Sequence, residues 1–188
     1  TSKTKLVFVA NPNNPTGTYS SREAVEKFLN LLPPTVLAVL DEAYFEYVTN
    51  ADYPDGLTLL SRHPNLIVVR TFSKAYGLAG LRVGYGIASK EIAEVLNRVR
   101  HPFNVNALAL AAAEAALGDE TFLAESIQQN LEGLKQLASG LDKIGLDWIP
   151  SVANFICARV GRNAGQIYQM MLERGVIVRP VANYGLPE

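Results

Sequence analysis

The sequence predicts an α/β fold in which a mostly parallel sheet is followed by a smaller α+β unit. Three short apolar runs, at residues 6–10, 36–40 and 66–69, are bounded by polar or turn-forming residues. Such runs are typical of strands that are buried on both faces of a parallel sheet. A helical pattern between the first two runs completes a strand–helix–strand unit within about 35 residues. After residue 89, helical periodicity dominates the chain.

The first predicted helix follows Ser20, which stands three residues before Glu23 as in a capping box, and Pro33-Pro34 ends it. Its apolar face is formed by Ala24, Val25, Phe28, Leu29 and Leu32. Residues 81–88 alternate larger with smaller side chains and predict a fourth strand. Because the turn before this strand is too short for a helical crossover, we expect it to run antiparallel to its neighbour.

The later part of the chain predicts an alanine-rich helix at 107–117 and a long helix that Asp119 opens. The apolar stripe of the long helix spans too few heptads for a coiled coil, so we expect a single amphipathic helix. This stripe consists of Leu123, Ile127, Leu131, Leu134, Ala138 and Leu141.

A strand at 154–160, a helix at 164–172 and a last strand at 176–179 complete the predicted elements. Together they suggest a division into part of a large domain, a helical connection and a small domain. The predicted boundaries of these three parts are 1–100, 101–120 and 121–188.

Composition excludes several classes of protein. The 188 residues carry 17 Lys and Arg against 18 Asp and Glu, a net charge of −1, which gives no bulk attraction to nucleic acid or to an anionic membrane. The most apolar stretch, 105–117, is too short to cross a bilayer and contains Glu114. The single cysteine excludes an internal disulfide, and His63 and His101 lack a second ligand at metal spacing. We therefore expect no nucleic acid, membrane or metal partner.

Polar side chains follow each of the first three predicted strands. The segments at 11–17, 41–44 and 71–82 supply an amide, a carboxylate and an amine, with hydroxyls and a guanidinium close by. Ligands of open parallel α/β sheets bind beyond the carboxyl ends of the strands, so we expect these groups to share one crevice. Each segment alone has a structural interpretation as a turn, a cap or a solvated lysine. It is their combination at consecutive strand ends that indicates a site.

This set of groups suits pyridoxal phosphate chemistry. A lysine amine forms a Schiff base with the cofactor aldehyde, and a facing carboxylate keeps the pyridine nitrogen protonated. An amide and a phenol can donate to the phenolic oxygen of the ring. Hydroxyls and a planar arginine suit the cofactor phosphate, which is a dianion.

The segments at 14–17, 41–44 and 73–74, with Arg82 eight residues after the lysine, resemble the fold-type I aminotransferases of class I and II. The segment 71–84 is most similar to that of the histidinol-phosphate aminotransferases. The resemblance implies the fold of the pyridoxal-phosphate-dependent transferases, with pyridoxal 5'-phosphate as cofactor. It also implies a cytoplasmic homodimer whose partners are a small-molecule amino donor and a keto acceptor.

Carried over by position, the resemblance makes Lys74 the residue that bonds the cofactor and moves the proton. Asp41 would pair with the pyridine nitrogen. Asn14 and Tyr44 would hydrogen-bond the phenolic oxygen of the ring, with Tyr44 counted among the catalytic residues and Asn14 also contacting substrate.

The resemblance further implies that Thr71, Ser73 and Arg82 hold the cofactor phosphate. It suggests that Arg179 contacts the phosphate end of the substrate, although a surface arginine after an edge strand is an equal alternative. Glu42 directly follows Asp41, and we interpret it as a surface charge with no assigned role.

The reaction that the resemblance implies is a ping-pong transamination in histidine biosynthesis. Its substrates would be histidinol phosphate and 2-oxoglutarate, and its products imidazole acetol phosphate and L-glutamate. An aromatic amino acid aminotransferase and a threonine-phosphate decarboxylase-like enzyme share the same residues and stay open as alternatives. A third alternative is the ligand-sensing module of a transcription regulator.

The resemblance covers the whole chain, whereas members of the family are about twice as long. A glycine-containing phosphate turn, an aromatic residue on the ring and the arginine for the substrate α-carboxylate have no counterpart in these residues. We therefore expect the chain to be a fragment that has little or no transaminase activity on its own.

Overall fold

The computed structural model describes residues 3–187 and contains a sheet of four strands and a second sheet of two. The strands of the first sheet are β1 (Leu6–Ala10), β2 (Leu37–Asp41), β3 (Leu66–Thr71) and β4 (Gly84–Ala88), which lie side by side in that order. β1, β2 and β3 are parallel, and β4 runs antiparallel to β3. The predicted mostly parallel sheet and its antiparallel fourth strand are confirmed. β4 begins at Gly84, three residues later than predicted, because Ala79–Leu81 forms a 3-10 helix.

Five α-helices and the short second sheet account for most of the remaining regular structure of residues 3–187. The helices are α1 (Arg22–Leu31), α2 (Lys90–Val99), α3 (Ala107–Leu117), α4 (Glu120–Lys143) and α5 (Ala164–Glu173). The second sheet pairs β5 (Trp148–Ile149) with β6 (Cys157–Ala158) in antiparallel orientation.

The N-terminus of α1 is capped one residue later than the sequence predicts. The hydroxyl of Ser21 accepts the hydrogen bond from the main chain of Ala24. Ser20 is held instead by Asn11, whose side-chain oxygen accepts from the Ser20 N–H at 2.7 Å. This second contact fixes the return of the chain from the end of β1 to the start of α1.

β2 and β3 are buried on both faces as predicted, since Ala38, Val39 and Leu40 are all buried and so are the first three residues of β3. The same prediction is wrong for β1, where half-buried and exposed residues alternate and Phe8 is 70% exposed. Leu6 and Phe8 lie on one face of the sheet and are 44% and 70% exposed, whereas Val9 on the other face packs against the core, so β1 is covered on one face only.

The second sheet is smaller than the sequence predicts. Of the strand predicted at 154–160, only β6 pairs with another strand. The strand predicted at 176–179 is wrong, because these residues pair with no other strand among residues 3–187. The side chains of Val176, Ile177 and Val178 are exposed there. The prediction of one long amphipathic helix is confirmed by α4, on which every residue of the predicted stripe is half-buried.

The first sheet and the later elements meet at the loops that follow β1 and β2. The main-chain N–H of Val152 donates to the carbonyl of Gly17 at 2.9 Å. Leu123 and Ile127 of α4 pack against a buried cluster that includes Tyr44 and Ala75. The loop after β5 and one end of α4 therefore border the carboxyl edge of the parallel strands. No helix of residues 3–187 has the length and apolar character needed to cross a membrane.

Candidate active site

Strand register brings the predicted site segments to one edge of the sheet. The last residue of β1, Ala10, lies opposite Asp41 at the end of β2, and Asp41 in turn lies opposite Val69 near the end of β3. Because the three strands are parallel, the loops that begin at Asn11, Glu42 and Phe72 leave the sheet on the same side. The predicted crevice is therefore built from these three consecutive strand ends.

Tyr44 connects two of the other predicted site residues. Its hydroxyl oxygen accepts a hydrogen bond of 2.8 Å from the amide Nδ2 of Asn14. The Nζ of Lys74 lies 5.3 Å from the centre of the Tyr44 ring. Tyr44 is buried, whereas Lys74 is half-buried and Asn14 is exposed. Because the Tyr44 oxygen accepts from Asn14, its own proton stays free to donate toward the crevice.

Phe155 supports the Tyr44 ring from the second part of the chain. The two rings are 5.3 Å apart between centroids and meet edge to face at 80°. Sequence reasoning missed Phe155, because a phenylalanine in an apolar stretch carries no signal of which loop it will contact. The contact joins the loop between β5 and β6 to the site.

Asp41 is held by the turn that follows β2. Its Oδ1 accepts a hydrogen bond of 3.1 Å from the N–H of Ala43. The side chain is half-buried at the carboxyl end of a central strand. A carboxylate held in this way can pair with a protonated heterocyclic nitrogen.

Thr71, Ser73 and Arg82 form a separate cluster of donors. The Ser73 N–H donates to the Thr71 hydroxyl at 3.1 Å, and the Arg82 Nη1 donates to the Ser73 hydroxyl at 3.2 Å. The same Nη1 donates to the carbonyl of Ala79 at 2.9 Å. Arg82 has a φ of +52°, in the left-handed region, and this backbone bend accompanies the return of its side chain toward Ser73.

These groups fit pyridoxal 5'-phosphate as a set. Lys74 supplies the amine, Asp41 the carboxylate, and the Asn14–Tyr44 pair the donors for a ring oxygen. The cluster of Thr71, Ser73 and Arg82 has hydroxyls and a guanidinium, which suit a phosphate dianion. Seven predicted residues thus lie at the strand ends or in the loops that follow them.

Arg179 is not brought into either group of contacts. It lies in the exposed stretch between α5 and the 3-10 helix Ala182–Tyr184. Within residues 3–187, it makes no hydrogen bond or ion pair with the other predicted site residues. Its role toward substrate stays a prediction. The same described residues contain no group of three or more His, Cys, Asp and Glu side chains that could hold a metal ion.

Glu42 is the residue that the sequence interpretation placed wrongly. It is completely buried and is not a surface charge. Its carboxylate is paired with Arg70 at 2.8 Å, and the side chain of Arg70 is only 8% exposed. Burial raises the pKa of Glu42 to about 6, although the neighbouring Arg70 acts in the opposite direction. Asp41 and Glu42 are neighbours in the sequence, but nothing in the sequence indicates that Glu42 is completely buried while Asp41 is only half-buried.

Comparison with known proteins places the chain in a family. Residues 1–188 match the model of the family described as aminotransferase class I and II, so the chain belongs to that family. Histidinol-phosphate aminotransferase 2 of Pseudomonas aeruginosa is 60% identical over 185 residues, which are 98% of this chain and 50% of that relative. The chain therefore spans about half the length of the curated relatives that it matches. The resemblance stated from the site motifs is confirmed.

Solved structures give the same result for the fold. A histidinol-phosphate aminotransferase from Sinorhizobium meliloti, in complex with pyridoxal-5'-phosphate, is 36% identical with a TM-score of 0.86 over 93% of this chain and 48% of that chain. An L-threonine-O-3-phosphate decarboxylase from Porphyromonas gingivalis is 28% identical with a TM-score of 0.82 over 95% of this chain and 55% of that chain. The fold is thus that of the fold-type I enzymes, shared by aminotransferases and a decarboxylase.

Proposed function

We propose that the full-length protein transfers an amino group between histidinol phosphate and 2-oxoglutarate with pyridoxal 5'-phosphate as cofactor. The observation that carries this proposal is the cluster at the ends of β1, β2 and β3, in which Asn14 bonds Tyr44 and Lys74 lies beside the Tyr44 ring. The choice of substrates rests on the 60% identity to a histidinol-phosphate aminotransferase. The products would be imidazole acetol phosphate and L-glutamate.

Lys74 is the residue proposed to act on protons. When bound, pyridoxal phosphate supplies an aldehyde that condenses with amines and a ring that accepts electrons from the substrate carbon. With the cofactor bound, the Nζ of Lys74 would hold the proton taken from the substrate carbon and return it to a neighbouring carbon. One amine that stays close to both carbons is sufficient for this transfer.

The other residues orient the cofactor and set its charge. Asp41 keeps a proton on the ring nitrogen through charge pairing. Tyr44, whose oxygen is already occupied by Asn14, donates its proton to the ring oxygen. Thr71, Ser73 and Arg82 would hold the phosphate and so orient the cofactor toward Lys74.

The test is a comparison of three amino donors on the full-length protein loaded with pyridoxal phosphate. Histidinol phosphate, L-tyrosine and L-threonine O-phosphate are added separately, and the visible absorption of the cofactor is followed. We expect histidinol phosphate alone to remove the absorption rapidly, with L-glutamate formed once 2-oxoglutarate is present. Faster reaction with tyrosine, or release of carbon dioxide from threonine phosphate, would overturn the proposed substrate.

Lysine variants separate the proposed chemistry from binding. Lys74→Ala should lower kcat by roughly 10³-fold or more, since the proposed proton-transfer group is lost. Lys90→Ala is the matched control, because Lys90 lies 3.9 Å from Glu94 in an exposed pair on α2. Equal loss in both variants, or none in either, would contradict the proposed role of Lys74. DNA binding by a protein without turnover would favour the ligand-sensing regulator instead.

The proposal includes a cytoplasmic homodimer. The support in this structure is an exposed apolar surface around the end of α2 and the start of α3. Val99, Phe103 and Leu108 are 72%, 97% and 80% exposed there, and assembly would cover such side chains. Light scattering on the full-length protein tests the homodimer, and a monomer at micromolar concentration would contradict it.

A further inference from the structure

We propose that Glu42 and Arg70 form a positioning pair, which fixes the ends of β2 and β3 from the face of the sheet opposite the cofactor site. This inference rests on the proposed function, because it concerns how the site residues Asp41 and Thr71 are held. Neither Glu42 nor Arg70 is proposed to touch cofactor or substrate.

The pair has the geometry of a fully used buried ion pair. Nε and Nη2 of Arg70 donate to Oε2 of Glu42 at 2.9 and 2.8 Å. The other carboxylate oxygen, Oε1, accepts the N–H of Gly56 at 2.8 Å. Glu42 is completely buried, so each of these bonds lies out of contact with water. Hydrogen bonds between charged groups in such surroundings are directional and hold both partners in one orientation.

Arg70 extends the contact to a neighbouring loop. Its Nη2 donates to Oδ1 of Asp55 at 2.6 Å, and its guanidinium carbon lies 3.4 Å from the centre of the Phe45 ring. Asp55 also caps the 3-10 helix Gly56–Leu59 by accepting from the N–H of Leu57 at 3.0 Å. The pair therefore joins two strand ends, a loop and a 3-10 helix.

Alternation along the strands places the pair behind the site. Consecutive side chains of a strand point to opposite faces of the sheet, so Glu42 lies on the face opposite Asp41, and Arg70 on the face opposite Thr71. The main chain of Glu42 still pairs with β3, since the Glu42 N–H donates to the carbonyl of Val69 at 2.9 Å. Holding Glu42 against Arg70 therefore fixes the two peptide segments from which Asp41 and Thr71 project.

Packing leaves the Glu42 carboxylate little freedom to move. A Cβ atom on Gly56 would lie 2.7 Å from Oε1 of Glu42 and 2.9 Å from the Leu40 side chain. Glycine is thus required where the chain closes over the carboxylate. A shorter side chain at position 42 could not reach both Gly56 and Arg70.

Stability alone does not explain this arrangement. Removing two charges from water costs free energy that their attraction often fails to return, and apolar pairs of similar volume are frequently as stable. A buried ion pair of this kind does, however, hold both side chains in one orientation. A positioning role therefore predicts an effect on cofactor binding in addition to any effect on folding.

The test uses Glu42→Gln in the full-length protein, with two measurements besides activity. The first is the dissociation constant of pyridoxal phosphate, which we expect to rise roughly tenfold or more because a charge-assisted hydrogen bond is lost. The second is the pH midpoint of the cofactor's visible absorption change, which we expect to shift because Asp41 moves relative to the ring. Circular dichroism checks that the variant is folded.

Glu26→Gln is the matched control. Glu26 also pairs with an arginine, Arg62, at 2.9 Å, but Arg62 is exposed and Glu26 is only half-buried, so water reaches that pair. Both measurements should equal those of the wild type. Arg70→Lys keeps the charge but not the pair of bonds from Nε and Nη2 to Oε2 of Glu42, so it should show the same changes as Glu42→Gln. If Glu42→Gln does not fold, Arg70→Lys decides the test.

The outcomes separate this inference from the proposed function. Wild-type protein that binds no pyridoxal phosphate would overturn the proposed function and the inference with it. The positioning role alone would be overturned if the wild type binds pyridoxal phosphate and the variants bind it equally well. Equal binding here means a dissociation constant within about twofold of wild type and a pH midpoint within about 0.1 pH unit, on the order of experimental error. A lower melting temperature with unchanged cofactor binding would likewise make the pair purely structural.

Discussion

Asn14 donates a hydrogen bond of 2.8 Å to the hydroxyl of Tyr44, a residue 30 positions later that follows a different strand. The bond joins the loops after β1 and β2 and determines how each group can serve a ligand. The Tyr44 oxygen is used as an acceptor, so its proton points elsewhere. The two side chains therefore form one donor unit.

Tyr44→Phe should weaken pyridoxal phosphate binding in the full-length protein by roughly tenfold, because the phenol proton and the partner of Asn14 are both removed. Asn14→Ala should have a comparable effect. The double variant should be little worse than either one, since the two residues act as a unit. Tyr19→Phe is the control, because the Tyr19 hydroxyl donates to Asp52 outside the site. Additive losses in the double variant would show that the two groups act independently.

The strand ends were predictable from the sequence because each depends on local pattern. An apolar run that stops at Asp41, or a turn that begins after Thr71, can be read from neighbouring residues. Parallel pairing then brings the ends together by a general rule of α/β sheets. For this reason the sequence alone predicts that Asn14, Tyr44 and Lys74 lie close together.

The contacts that were not predictable depend on partners distant in the sequence. In the sequence, Glu42 cannot be distinguished from a surface carboxylate, because its partner Arg70 lies 28 residues later on β3. Phe155 reaches Tyr44 from beyond α4. Conversely, residues 176–179 have the apolar composition of a strand but no partner strand among the described residues. Propensity alone does not supply pairing.

Arg82→Gly should separate stability from cofactor binding. The left-handed backbone of Arg82 costs a non-glycine residue about 1 kcal/mol, which glycine avoids. The variant should therefore unfold at a urea concentration no lower than the wild type, while its dissociation constant for pyridoxal phosphate rises by roughly tenfold or more. Pyridoxal, which lacks the phosphate, should bind both proteins alike. A matching loss for pyridoxal would show that Arg82 does not act through the phosphate.

Glu42 should give the protein a recognisable pH dependence of stability. Burial raises its pKa to about 6 from an ordinary 4.5, against the opposing effect of Arg70, so the native state holds this proton more tightly than the unfolded state. As pH rises through this interval, the carboxyl's contribution to the free energy of unfolding falls. At about 1.4 kcal/mol per pKa unit, the fall amounts to about 2 kcal/mol.

The measurement is urea unfolding of wild type and Glu42→Gln across the same pH range. The difference in unfolding free energy should change between pH 4.5 and about 6 and stay constant above it. Asp55 and Arg70 face the same carboxylate, and both are present in the two proteins. Glu26→Gln should follow the wild type throughout. Parallel curves for wild type and Glu42→Gln would contradict the raised pKa of Glu42.

Gly17→Ala should destabilise the protein and disturb the site together. Gly17 has a φ of +73°, and a Cβ atom there would overlap the side chain of Ser151. The Gly17 carbonyl also accepts from Val152 at 2.9 Å, so the loop that carries Asn14 cannot move away without losing this bond. We expect a loss of at least about 1 kcal/mol and weaker pyridoxal phosphate binding.

Gly133→Ala is the matched control for this prediction. Gly133 lies within α4, and a Cβ atom there has no heavy atom within 4 Å. Alanine is the better helix former, so this variant should be more stable by up to about 1 kcal/mol and should bind cofactor like the wild type. Gly17→Ala with wild-type stability and affinity would show that the loop after β1 adjusts freely. In that case the contact between Gly17 and Val152 would have no part in holding Asn14 beside Tyr44.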